Sequence, residues 1–295
     1  MEELREFWRR FRRNTTAMIG LLIVVFLAII ALTAPLTAPW DAVKSQNLMV
    51  ALQPPSLDHP FGTDHLGRDM LTRILYGSQI SLLVGFLVTA MGMVLGTLLG
   101  LLAGYLGGWW DRSISRFTDI MLAFPFLLLA IAVSATLGEG LLNELERLGI
   151  PTFSTLPVVL ALGIASFPSY TRLVRGCVLS IKEEQFIDAA RALGAGKRRI
   201  MLRHILPNLG GTLLVFGTLR ISTAILAESG LSYLGLGAKP PEPTWGNMLS
   251  DGREYILFYP WIPLFPGLAI LVTVLGFNFL GDGLRDLLDP HMKDS

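Results

Sequence analysis

Six long apolar runs divide this 295-residue chain, at 17–36, 81–108, 117–137, 156–170, 210–230 and 261–280. No other feature leaves it so little choice of fold. About twenty apolar residues in a row span a bilayer as a helix, because lipid offers the backbone no partner and each segment must bond its own N–H and C=O groups. Composition agrees: 52% of residues are hydrophobic and 16% charged, with a mean hydropathy of +0.55, too apolar for a soluble domain of this length. The expected fold is an all-α polytopic membrane protein with six transmembrane helices. The first run is longer than a signal-peptide core, so it is expected to be retained. Pro125 inside the third run and Pro168 near the end of the fourth are expected to kink their helices. The single cysteine, Cys177, excludes an internal disulfide and a cysteine-based metal cluster.

Net charge is only +1, but its distribution is informative. Six crossings put both termini on one side of the membrane. Fifteen Lys and Arg fall on that side, against six on the other: Lys44, Arg68, Arg73, Arg147, Lys239 and Arg253. The richer side is expected to be cytoplasmic. Residues 1–16 alternate Arg5, Arg9, Arg10, Arg12 and Arg13 with Phe7, Trp8 and Phe11. Beside a membrane run, this pattern predicts a helix lying among lipid headgroups rather than on nucleic acid. Residues 37–79 read as a polar extracytoplasmic loop, 107–116 as a tight polar turn, and 138–155 and 231–260 as further loops. Gly92, Gly96, Gly100, Gly104 and Gly108 recur every fourth residue, which predicts a helix face open to close approach by another helix.

Between the fourth and fifth runs lies a polar stretch, Ser180 to Pro207, with its own helical signals. Ser180 and Glu183 form a capping-box pattern, so a helix is expected to begin there. Phe186, Ile187, Ala190 and Leu193 recur as one apolar stripe, and Gly194 suits a left-handed stop. A second, basic helix is expected over Lys197 to Ile205, ended by Pro207. Together they predict an elbow of two helices at the membrane surface.

Asp188-Ala189-Ala190, Gly194 and Leu206-Pro207 stand at the spacing of the cytoplasmic EAA loop of ABC importer permeases, and the stretch resembles that loop. Asp188 replaces the pattern's Glu, and His204 stands where the pattern has Ile. The resemblance extends to HPFGTDHLGRDMLTRILYG (59–77), LSYLGLG (231–237), PPEPTWGNM (240–248), FPGLAI (265–270) and NFLGDGLRDLLDP (278–290), which are similar to the oligopeptide, dipeptide and nickel branch. It implies a type I importer permease: an amphipathic N-terminus (1–16), a first helix (17–36), an extracytoplasmic loop (37–79), a five-helix core (80–284) with its coupling loop (177–209), and a tail (285–295). It implies that Glu184, Phe186, Asp188, Ala189, Ala190, Leu193, Gly194, Leu206 and Pro207 couple the chain to an ATPase. The implied partners are a second homologous permease, two ATPase subunits that bind ATP and magnesium, an extracytoplasmic binding protein and lipid. The implied location is a bacterial or archaeal cytoplasmic membrane. Short peptides are the expected cargo, with nickel or another small solute as the alternative.

The residues themselves carry little chemistry. Gly196-Lys197 would need a glycine five residues earlier and Ser or Thr after the lysine to cradle phosphate; Arg191 and Arg198 stand there instead. No nucleophile or metalloprotease motif appears, so the chain is read as a transport subunit with no cofactor of its own. His59, Asp64, His65 and Asp69 fit no common metal-ligand spacing. A secondary carrier would call for inverted repeats and several midplane carboxylates. A membrane enzyme would call for clustered histidines, whereas the four here are scattered at 59, 65, 204 and 291. Arg220, mid-way along the fifth run, is the one costly intramembrane cation. It is expected to pair with a carboxylate of this subunit or a neighbour; the functional alternative is that it lines the translocation path. Glu228 and Asp282 are expected to reach water.

Overall fold

The computed structural model describes residues 2–148 and 153–288. Its helices are α1 (Glu2–Phe11), α2 (Thr15–Thr37), α3 (Trp40–Lys44), α4 (Met70–Leu106), α5 (Gly108–Ala123), α6 (Phe126–Arg147), α7 (Leu156–Ile181), α8 (Gln185–Ala192), α9 (Lys197–Arg199), α10 (Gly210–Tyr233), α11 (Trp245–Gly252) and α12 (Trp261–Leu288). Five of the helical segments are long and apolar enough to cross a membrane, and the bent pair α5–α6 brings the number to six. Residues 149–152 of the expected loop, and 289–295 of the expected tail with His291, lie outside the described residues.

Polar residues at the helix ends move several boundaries beyond the apolar runs. α4 begins at Met70 rather than 81, because the Asp69 carboxylate accepts the Thr72 N–H at 2.8 Å and caps it. Its polar first turns are held by Tyr76 Oη donating to the Ala38 carbonyl (2.7 Å) and Gln79 Nε2 donating to the Ala31 carbonyl (2.6 Å). α7 likewise continues through Pro168 and past Tyr170 to Ile181. There Arg172 pairs with Asp119 at 2.7 Å and Arg175 with Asp111, both on α5.

The third run is two helices rather than one kinked span. α5 and α6 meet at 97°. The cause is local: the ring of Pro125 disfavours helical backbone at the residue before it, and Phe124 is extended (φ −85°, ψ 139°). Residues 108–116, expected as a turn, form the first turns of α5.

The glycine strip does pack. A Cβ on Gly96 would lie 2.3 Å from the Tyr170 Cβ, and those on Gly100 and Gly104 would meet Val174 and Val178 at 2.7 and 2.8 Å. α4 and α7 therefore run in close contact, the most extensive helix pair in the fold. Gly108 falls outside the strip, beyond the end of α4 with nothing within 4 Å. A second close seam, between α2 and α12, uses Gly20, Gly276 and Gly283, spaced too irregularly to stand out in the sequence.

Val84, Val88, Val158, Leu162, Ala224 and Leu231 fill the centre between α4, α7 and α10. Ile225, Trp245, Ile270 and Phe277 join α10 to α11 and α12. At one end of the bundle, Phe11, Ala17 and Leu284 gather α1 with the ends of α2 and α12. At the other, Met70, Ile74, Met248 and Ile262 close around the 52–69 loop, where Phe61 stacks on Phe265 at 4.1 Å between ring centroids.

Candidate functional site

Ser180 does not start the helix of the polar stretch. It lies in the last turn of α7, and its carbonyl accepts the Glu183 N–H at 3.2 Å. α7 is long enough to absorb the capping-box pattern. Glu184, with extended backbone and no side-chain cap bond, instead stands at the N-cap of α8. The helix is thus eight residues, Gln185–Ala192. Its end is as expected: Gly194 has φ +81°, its N–H bonds the Arg191 carbonyl (2.9 Å), and the Ala195 N–H bonds the Ala190 carbonyl (3.0 Å). This paired arrangement satisfies carbonyls the helix end would otherwise orphan.

The apolar stripe splits into two faces. Ile187 is completely buried and packs with Leu101, Val174, Val178, Ile205 and Leu209, and Ala190 is nearly buried. Phe186, Ala189 and Leu193 face outward, Leu193 at 89% exposure. With Ala190, Ala195, Arg199 and His204 they line an open groove of about 360 Å³. Asp188 points away from the core and pairs with Arg191 at 2.8 Å; Glu184 is also exposed. An ion pair this exposed contributes little to stability. Sequence reasoning left the anchor, Ile187, out of the site, although its spacing to Ala190 marks it. It also left out Arg199 and His204.

The second arm is not a separate helix. Residues 197–233 run as one helical rod. α9 widens into a π turn at Ile200–Ile205, tightens into a 3₁₀ turn at Leu206–Leu209, and becomes α10. Pro207 was expected to stop it. A proline ring is compatible with helical φ, but it removes a donor and crowds the carbonyl one turn back, and the change of pitch accommodates both. Asn208 Nδ2 donates to the His204 carbonyl at 2.6 Å inside this transition. Leu206 packs toward the core while Pro207 is exposed.

Arg220 makes no ion pair among the described residues. Its guanidinium lies 4.7 Å from the Phe216 ring centroid, a cation–π contact. Tyr170 meets the same ring edge-on at 4.9 Å. Thr89, Phe126, Ser166, Tyr170, Thr223 and Arg220 are among the residues around a small cavity of about 20 Å³. Glu228 does not reach water: it is wholly buried and accepts a hydrogen bond from Ser232 Oγ at 2.6 Å. Asp282 is exposed, as expected. His59 pairs with Asp69 at 2.9 Å, and no metal-ligand cluster is found among the described residues.

An all-helical bundle of five long spans and one broken one, with a short capped helix between the fourth and fifth crossings, is the fold of a type I ABC importer permease. The chain belongs to the family described as binding-protein-dependent transport system inner membrane component, which it matches over residues 96–294. Residues 3–55 match the N-terminal TM domain of oligopeptide transport permease C, which sets it in the oligopeptide and dipeptide-like branch. The chain is 49% identical over 288 residues to the glutathione transport system permease protein GsiD of Shigella flexneri serotype 5b, covering 98% of this chain and 90% of the relative. GsiD of Escherichia coli O6:K15:H31 is similar to the same extent. The inward-facing MetNI methionine ABC transporter shares the fold at 20% identity, with a TM-score of 0.59 over 75% of this chain and 98% of its own.

Proposed function

We propose that this chain is one membrane subunit of an ATP-driven importer for short peptides, with glutathione and dipeptides as the first cargoes to test. A binding protein outside the membrane delivers the cargo. A second, homologous permease completes the pathway, and two separate ATPase subunits bind ATP and magnesium and supply the energy. Both termini lie in the cytoplasm of a bacterial or archaeal cell, a reading that rests on the excess of Lys and Arg on that side.

The observation that carries this reading is the groove on α8. Ile187 fixes the helix to the bundle, while Phe186, Ala189 and Leu193 stay open. An exposed apolar concavity on a firmly anchored helix suits docking by a partner protein. The open half of the site (Phe186, Ala189, Leu193) meets the ATPase. Gly194 aims the helix, and Leu206 and Pro207 set the root of α10. Glu184 and Asp188 contribute charge at the rim. Arg220, stacked on Phe216 beside a small central cavity, borders the translocation path.

Reconstitution of the whole complex into liposomes tests the reading. ATP-dependent uptake of glutathione or dipeptides is expected, and a cysteine at position 189 should crosslink to an ATPase subunit. Uptake driven by a proton gradient without the ATPases, or a position 189 that never meets them during turnover, overturns it.

A further inference from the structure

Around the end of the bundle that carries the 52–69 loop lies a polar cavity of about 190 Å³. Arg68 and Arg73 form its floor, and the segment from Ser232 to Asp251 forms its walls. The two arginines are only 7% and 3% exposed. Arg68 is well provided for: its Nε donates to Asp64 Oδ2 at 2.6 Å and its Nη2 to Asp251 at 3.4 Å. Asp64 is then occupied, because its other oxygen accepts the Leu66 and Arg68 N–H groups, both at 2.9 Å. Arg73 is left over. Asp64 and Asp251 lie 3.7 and 3.8 Å away, and its Nε and Nη1 have no acceptor within hydrogen-bond distance among the described residues. A buried guanidinium with idle donors is costly unless an anionic acceptor reaches it.

We propose that Arg73 and Arg68 form a socket for a single carboxylate, an aspartate or glutamate side chain on the surface of the extracytoplasmic binding protein. The other carboxylate on the lining, Glu242, is engaged by Ser154 Oγ. Asn247 is committed to the backbone of Glu242 and Thr244, and Ser250 to the Tyr233 carbonyl. Asp251, 40% exposed, marks the mouth, and its charge makes a singly charged carboxylate more acceptable than a phosphate. Pro240 and Pro241 line the cavity and are exposed, which suits a protein surface. A cargo carboxylate fits less well. Ser232 on the socket wall is nine residues from Thr223 at the central cavity, about two and a half turns and thus on the opposite face of α10. This inference rests on the importer reading above.

The test uses the complete complex in nanodiscs with its own binding protein, measuring receptor affinity and receptor-stimulated ATP hydrolysis. Arg73→Met should weaken receptor binding by about tenfold or more, the usual result of removing one partner of a desolvated charge pair. Asp251→Asn, at the open mouth and outside the core, should tighten it and keeps the test alive should Arg73→Met fail to assemble. One acidic residue on the receptor should give the same loss when replaced by alanine, with no further loss alongside Arg73→Met. Unchanged receptor affinity in Asp251→Asn, together with unchanged affinity in any Arg73→Met complex that assembles, makes the cluster purely structural and overturns the socket alone. A changed KM for cargo with unchanged receptor affinity also overturns it, in favour of a cargo site. A wild-type complex without receptor-stimulated hydrolysis overturns the importer reading, and the socket with it.

Discussion

At Gly96 in α4, an added Cβ would sit 2.3 Å from the Tyr170 Cβ and 2.7 Å from the Phe167 carbonyl; at Gly194, past α8, it would meet nothing within 4 Å. The first glycine is required by what lies beside it. The second is required by its own backbone, since φ +81° is a conformation that L side chains rarely adopt. The bundle and the α8 turn thus use the same residue type for opposite reasons. One buries surface so that two helices move as a unit; the other directs the chain while leaving the surface bare.

Substitutions at three positions follow, in falling order of effect. Gly96→Val should be the most damaging, because it drives a branched side chain into the backbone of α7. Overpacking of this kind costs roughly 1–3 kcal/mol and more where the backbone must shift. The expected result is loss of folded protein, read as yield and melting temperature in detergent; a stable Gly96→Val would break the comparison. Gly194→Val should leave yield unchanged but uncouple ATP hydrolysis from uptake, since a left-handed β-branched residue costs about 1–2 kcal/mol and re-aims α8. Gly194→Asn, which tolerates that conformation, should restore coupling. Equal coupling in the valine and asparagine variants would mean the direction of α8 is irrelevant. Arg220→Met should assemble normally, because stacking on Phe216 is all that is lost, about 0.5–2 kcal/mol. Uptake should fall if Arg220 borders the path, and unchanged uptake would remove it from the mechanism.

Residues that act through spacing alone were legible in the sequence. Four glycines of the α4 strip, the Gly194 stop and the apolar runs each declare themselves by period or by type. What escaped was set partly by contacts far along the chain and partly by how neighbouring turns of one helix resolve. α4 begins eleven residues before its apolar run because Tyr76 and Gln79 find carbonyls on α2. The Ser180 pattern is locally a good cap, yet the longer α7 overrides it. Pro207 carries a stop signal, but a shift of helical pitch takes up the missing bond. Arg220 meets no carboxylate of its own chain among the described residues and rests on the Phe216 ring, one turn back on the same helix. On α8, the exposed residues matched a pattern, while Ile187, which fixes them in place, drew less notice because apolar residues abound in this chain.

The unbroken rod from Lys197 to Tyr233 has a mechanical corollary. His204, in the α8 groove, and Arg220, at the central cavity, lie sixteen residues apart on a single axis, roughly 24 Å at helical rise. Torque applied at one station would therefore arrive at the other as rotation of the same shaft, with the changes of pitch across Ile200–Ile205 and Leu206–Leu209 the places able to slip.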